Sequence, residues 1–265
     1  MLYNKPKAPY KKFAGDIWRS YQSRIVEYAK FLSSGESQRI FEGYRQIRDK
    51  CPEGKAIIVC NGPSLNDTNS QIYCRHPLIG LNLGALMNTC TSANYICNIL
   101  ADPRVILQNK SKVDQLKGMT FSHFSLKKEF SSQPFRYFYG IAPDSLPYSS
   151  LASLVPSFGN STSIAAQILF YSGISKVAVI GLDHDYGDIR PLTLLAADKL
   201  STKYASASNA PSGQTVQAPD LMRVAYNLRN LMYLYSDHGR LLVNCSTRTR
   251  LDSLPRISLE EFDAL

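Results

Sequence analysis

The sequence lacks the motifs that most readily betray an enzyme class. It has no G-x-x-x-x-G-K-[ST] phosphate loop and no G-x-G-x-x-G turn, so ATPase and nicotinamide-dinucleotide readings lose their usual support. Its six cysteines (Cys51, Cys60, Cys74, Cys90, Cys97, Cys245) include no C-x-x-C pair, and Cys60 and Cys97 sit in apolar runs where a thiol behaves as a small hydrophobe. The expectation is six reduced core thiols in a cytoplasmic protein. No run approaches the ~18 uncharged residues of a membrane span, and "MLYNKPKAPYKKF" has no apolar segment of the kind a secretory leader needs. A soluble chain without internal repeats is expected. Acids are scarce as well, 21 against 30 Lys and Arg, which leaves a net charge of +9.

With 265 residues and 44% hydrophobic composition, the chain can bury a sizeable core as one α/β domain or one domain with a small appendage. The positive charge is unevenly spread: residues 1–50 hold eleven basic residues and five acids. In that region Ile17, Tyr21, Ile25, Tyr28 and Leu32 recur at helical spacing, as do Ile40, Tyr44 and Ile47 after "SSGES". Two amphipathic helices are expected there, so the chain divides into a basic helical extension over 1–52 and a catalytic domain over 53–265. The helices either pack on that domain with a solvated basic face, or "NKPKAPYKK" and Trp18 hold the protein at an anionic membrane surface on the inner side of the membrane. Nucleic acid ranks behind both, because no recognition motif accompanies the charge. Oligomerisation is left open.

From Lys55 the pattern alternates. Strand-like runs at 56–60, 78–82, 94–100, 119–123, 176–181 and 241–244 are separated by segments long enough for helices. This predicts a Rossmann-like, doubly wound, mostly parallel sheet preceded by N-terminal helices. The clearest helices are 161–172, ended by Gly173, and 219–237, opened by Pro219 and Asp220. Residues 188–218, rich in Ser, Ala, Thr and Gln, read as a long loop or lid.

In open parallel sheets ligands bind outside the carboxyl ends of the strands, and the chemically informative residues fall there. Asn61, Gly62, Pro63 and Ser64 end the first strand, Asn82 the second, and Asp102 follows the third. Gly181, Asp183, His184, Asp185 and Tyr186 follow "KVAVI". Gly159, Asn160, Ser161 and Thr162 open a helix whose free N–H groups and positive dipole end suit a phosphate. Each also has a plainer reading: Asn160 or Ser161 as an N-cap, Asn82 as a partner for backbone groups, His184 as a structural histidine. Gly62 is expected to permit close approach of a ligand, so that a side chain there blocks binding with little loss of folding.

"IIVCNGPSLN", "LIGLN", "ADP", "GNSTSIAAQILFYSGISKVAVIGLDHDYG" and "GRLLVNCSTRTRLDSLPRISLEEF" together resemble the MptE-like (hydroxymethylpterin pyrophosphokinase-like) family. They are similar, more distantly, to bacterial lipooligosaccharide sialyltransferases, and the resemblance runs in order over about residues 55–262. The sialyltransferase likeness implies a nucleotide-sugar donor, a CMP-sugar, at Asn61, Gly62, Ser64, Asn82 and the turn Asn160, Ser161 and Thr162, with Asp102 close by. It implies a glycan or glycolipid acceptor, and a phenol, Tyr186, that helps the phosphate leave. The general base of that family is a histidine before the last long helix. The matching stretch "SGQTVQAPD" has none, so His184 or Asp185 takes the part, a lid group does, or the activity differs.

A CMP-linked sugar departs through an oxocarbenium-like state, so a transferase must neutralise the phosphate and deprotonate the acceptor, which requires no metal. Asp183 and Asp185 nevertheless resemble a D-x-D pair suited to Mg²⁺. A histidine between two aspartates is expected to favour its charged form. Two other functions remain in view: a Mg²⁺-dependent pyrophosphokinase acting on a pterin with ATP, and a non-catalytic nucleotide-binding scaffold.

Overall fold

In a computed structural model of the protein the short apolar runs pair into one sheet, and the residues described are 25–86, 93–141, 154–156, 160–205 and 213–265. The basic segment 1–24 with Trp18, and Gly159, lie outside them, and so does any membrane role assigned to that segment. Residues 25–33 form helix α1, and α2 is Glu36–Asp49. The strands are β1 (Lys55–Val59), β2 (Leu78–Leu81), β3 (Tyr95–Leu100), β4 (Met119–His123), β5 (Arg136–Ile141), β6 (Leu154–Pro156), β7 (Lys176–Ile180) and β10 (Leu241–Asn244). They lie in the order β10-β7-β1-β2-β3-β4-β5-β6, and every pairing is parallel.

Parallel strands need crossovers, and helices on both faces make the central strands apolar throughout. The sequence obeys: β1 reads KAIIV and is buried at all five positions. Its side chains alternate, Ala56 and Ile58 toward one layer, Ile57 and Val59 toward the other. The first layer comprises α1, α2, α6 (Ser161–Tyr171) and α7 (Leu221–Asp237), anchored by Phe31, Ile40, Tyr44, Ile47, Ile168 and Leu228. Helix α6 lies between the sheet and α7, so Thr162–Phe170 are buried on all sides, as a nearly uncharged helix requires. The Tyr235 hydroxyl donates to the Ala166 carbonyl at 2.7 Å and ties α7 to α6. The second layer holds α3 (Ser70–Tyr73) and α8 (Leu259–Ala264), with α4 (Pro103–Gln108) and α5 (Lys110–Val113) further along. Among the described residues no helix is long and apolar enough to cross a membrane.

The six strand-like runs and both long helices are present, but four features differ from the sequence reading. Strands β5 and β6 extend the sheet beyond the runs read as strands, β6 by three residues only. The lid segment carries a hairpin of β8 (Leu194–Ala196) and β9 (Thr215–Gln217), whose short mixed runs give no strand period. In α1 the buried anchor is Phe31, while Ile25 and Leu32 of the expected stripe are exposed, because Phe31 meets the rings of Phe124 and Tyr139 at 5.3 and 5.8 Å. Cys51, Cys60, Cys97 and Cys245 are free and buried, but Cys74 is disulfide-bonded. The expectation of reduced thiols fails at Cys74 and holds for these four.

At the carboxyl ends of β1 and β7 the chain is close-packed. The Gly62 N–H donates to the Gly181 carbonyl at 2.8 Å, and Gly181 takes φ +68°. A Cβ on Gly62 would lie 2.5 Å from that carbonyl oxygen and 2.8 Å from Asp183 Cγ. The small residue therefore makes room for the end of β7, and the expectation that a side chain there spares folding is corrected. Gly62→Ala should lower the melting temperature by about 3–10 °C, from an overpacking cost of ~1–3 kcal/mol in a chain of this size. Circular-dichroism melting measures it; an unchanged midpoint would mean that the two strand ends part freely.

Candidate functional site

Strand β1 is followed to one side by β2 through β6 and to the other by β7 and β10, so the strand order reverses between β1 and β7. A doubly wound sheet opens a crevice at such a point, because the crossovers leave toward opposite faces. The Asn-Gly-Pro-Ser corner and the Gly-Leu-Asp-His-Asp-Tyr segment both end there. A cavity of about 180 Å³ lies between them, lined by Asn61, Asn82, Asn160, His184, Tyr186 and Tyr204 among others.

The proline at the end of β1 starts a 3-10 turn, Pro63–Asp67, that turns Ser64 inward. Ser64 donates to Asp183 twice, through its N–H to Oδ2 at 2.8 Å and through its hydroxyl to Oδ1. Both carboxylate oxygens of Asp183 are therefore engaged in holding the corner. Asp185 in turn lies 3.4 Å from Arg250 and 3.9 Å from Lys203. The pair does not present two open carboxylates to one metal ion, and among the described residues no group of three His, Cys, Asp or Glu stands ready to hold one.

Asn82 adopts a left-handed φ of +50°. Its Oδ1 accepts from the N–H groups of Ala101 and Asp102 at 3.1 and 3.2 Å, and its Nδ2 donates to Ser161 Oγ at 3.2 Å. One side chain thus joins the ends of β2 and β3 to the start of α6. Asp102 caps α4, accepting from Arg104 and Val105, and Asn160 caps α6 through the Thr162 N–H at 2.8 Å. The Thr162 hydroxyl meets Cys60 Sγ at 3.3 Å; burial pushes that thiol up to about 12, which leaves it an inert packing group. The structural roles offered for Asn82 and Asn160 are thus both in place, and both residues still line the cavity.

His184 also has a left-handed backbone, φ +55°. Its Nε2 is buried and has no hydrogen-bond partner. Burial lowers its pKa, opposed by the nearby Leu221 backbone at the start of α7 and by Asp252. The expected charging by Asp183 and Asp185 is corrected: Asp183 is spent on Ser64 and Asp185 faces cations, so desolvation prevails and the neutral ring is favoured. The phenols of Tyr186 and Tyr204 are both raised, chiefly by burial, and remain protonated donors at neutral pH.

Besides apolar lining residues such as Leu182, Leu221 and Val224, a lysine and a tyrosine of the cavity escaped the sequence reading. Lys203 and Tyr204 come from the lid, whose 3-10 stretch Ala197–Lys203 runs over the strand ends. The Ala205 N–H donates to the Asn61 carbonyl at 2.8 Å and its carbonyl accepts from Asn66 at 3.0 Å. On the far flank Asn109 and Gln214 exchange side-chain hydrogen bonds of 2.9 and 3.0 Å. The only hint in the sequence is a Lys-Tyr pair in an otherwise Ser- and Ala-rich segment. A second tyrosine thus joins Tyr186 from 18 positions further along the chain.

Asn82→Ala should cost about 1–3 kcal/mol in urea unfolding, since two half-buried N–H groups lose their acceptor and alanine must hold a left-handed φ. Unchanged stability would mean that Asn82 serves only a ligand.

No family model matches this chain, and no curated protein matches it. Among solved structures, the monofunctional alpha-2,3-sialyltransferase Cst-I from Campylobacter jejuni is 16% identical over 76% of this chain and 79% of its own, with a TM-score of 0.41. A variant of the sialyltransferase Cst-II in complex with CMP is 12% identical over 77% of this chain and 86% of its own, with a TM-score of 0.40. At these values the residues of the cavity, rather than the likeness, have to carry the function.

Proposed function

We propose that the protein is a glycosyltransferase of bacterial surface-glycan synthesis that moves a sugar, best read as a sialic-acid-like sugar, from a CMP-linked donor to a hydroxyl of a glycan or glycolipid acceptor. One observation carries this reading: His184, whose buried Nε2 has no hydrogen-bond partner, lines the same cavity as Asn160, Ser161 and Thr162 at the amino-terminal end of α6. An anion receptor and a neutral imidazole at one switch-point crevice are the two elements that transfer from a phosphate-linked donor requires.

In this mechanism the bond between the anomeric carbon and the phosphate oxygen breaks, and its electron pair leaves with CMP. The positive end of α6 and the protonated phenols of Tyr186 and Tyr204 stabilise the departing phosphate. The acceptor oxygen bonds to the anomeric carbon and its proton passes to His184 Nε2. Burial keeps the ring unprotonated until that step. The Mg²⁺-dependent pyrophosphokinase is less favoured, because Asp183 gives both carboxylate oxygens to Ser64 and leaves Asp185 without the second open acid of a D-x-D pair.

His184→Ala should lower kcat by about 10² or more with CMP affinity nearly unchanged. The acid limb of the wild-type profile should lie below the ordinary histidine range near ~6.5, since a lowered pKa keeps the base neutral to lower pH. That limb should vanish in the variant. Near-normal turnover would transfer the base role to Asp102 or Asp185. The same histidine predicts a stability trend: the unfolded ring takes up a proton more readily than the folded one, so folding weakens as pH falls through and below ~6.5. Denaturant titration at several pH values checks it, and His184→Ala should flatten the trend. Turnover of a CMP-sugar should also survive EDTA, and conversion of ATP to AMP with a pterin would revive the kinase. Calorimetry in which UDP or ATP binds and CMP does not would overturn the donor assignment.

A further inference from the structure

A second cavity, about 320 Å³, adjoins the first and shares Asp183, Asp185 and Lys203 with it. Its outer wall is the segment after β10, with Arg248, Thr249 and Arg250. This segment is built into the fold at several points. The Thr249 hydroxyl donates to the Leu182 carbonyl at 2.7 Å, the Arg250 N–H to the Asp183 carbonyl at 2.8 Å, and the Thr247 hydroxyl to the Ser64 carbonyl at 3.3 Å. The Ser246 N–H donates to Asn244 Oδ1 at 3.0 Å. The backbone carrying both arginines is thus fastened to the switch point.

The guanidinium groups, by contrast, are held loosely. Arg250 meets Asp185 at 3.4 Å with 71% of its side chain exposed, and Arg248 meets Asp67 at 3.4 Å with 64% exposed. Lys203 stands 3.9 Å from Asp185. None of these is the short two-bond contact that an arginine makes with a well-placed carboxylate or phosphate, and such exposed pairs contribute little to stability. Two arginines on a fixed backbone and Lys203 from the lid, with weak partners that an incoming oxyanion can replace, border the cavity expected to hold the donor.

We infer that Arg248, Arg250 and Lys203 bind an oxyanion, a phosphate or carboxylate, carried by the acceptor, so that the acceptor is an anionic glycan or glycolipid. This deepens the transferase reading and rests on it for the word acceptor. Arg248 and Arg250 line the second cavity and not the first, so the anion sits on the side of Asp185 away from Asn160 and the start of α6. Lys203, which lines both, stands between the two ligands.

The test titrates the full chain with inorganic phosphate, with glucuronate as a carboxylate sugar and with glucose as a neutral control, followed by chemical-shift changes, and with CMP by calorimetry. The wild type should bind phosphate or glucuronate, not glucose, and the stronger of the two anions identifies the source of the charge. The Arg248→Gln/Arg250→Gln double variant should bind that anion at least about tenfold more weakly, because each guanidinium loses a charge-assisted hydrogen bond. Its melting temperature and its CMP affinity should match the wild type, and added salt should weaken anion binding in the wild type more than in the variant. Anion binding that is absent, or unchanged in a folded variant, overturns the inference. CMP affinity that falls in parallel assigns the arginines to the donor and overturns it too. Anion binding that depends on both arginines, in a protein that does not bind CMP, keeps the anion site and overturns the donor reading instead.

Discussion

The carboxylate of Asp183, held by the backbone and hydroxyl of Ser64, is the contact around which the rest of the crevice is arranged. It joins the loop after β1 to the loop after β7 at the one place where the winding of the sheet reverses. Because two donors from one residue grip both oxygens, neither loop can rotate without exposing a charge. Everything that lines the cavity is referenced to this joint: Asn61 precedes it, His184 and Asp185 follow it, and the Arg-Thr-Arg segment hydrogen-bonds to the carbonyls of Leu182 and Asp183. The glycines at 62 and 181 belong to the same arrangement, since the joint closes only where no Cβ intervenes.

Much of the architecture was legible in the sequence because a parallel sheet buried on both faces leaves continuous apolar runs such as KAIIV and KVAVI, which side-chain chemistry alone identifies. What was less legible followed from partners distant in the chain. The lid reads as polar loop because its order comes from Asn61, Asn66 and Asn109, none of which adjoins it in sequence. Phe31 escaped the periodic pattern of α1 because its aromatic neighbours come from β5 and from the end of β4.

The strand-end residues illustrate a further limit. A polar residue after a strand is equally suited to hold a ligand or to satisfy stranded N–H groups, and Asn82 and Asp102 are visibly engaged in the latter. His184 differs because one ring nitrogen has no partner, a fact no sequence can disclose. The sign of its charge preference was equally hidden: adjacent aspartates in the chain suggested attraction, but their side chains are turned to Ser64, Lys203 and Arg250. Proximity along a strand end did not translate into proximity of charge.

The lid is fastened at both flanks by a handful of hydrogen bonds, most of them involving side-chain amides, and by a small apolar cluster of Ala197, Leu200 and Val216 against Tyr186. Lys203 and Tyr204 ride on it. If it lifts to admit ligands, a phenol and a cation leave the cavity together, so the open protein has an incomplete seat for a departing phosphate. Under the proposed transfer, cleavage of the donor would then be tied to closure, when bulk water is shut out, and the activated sugar would be protected from wasteful hydrolysis until an acceptor binds.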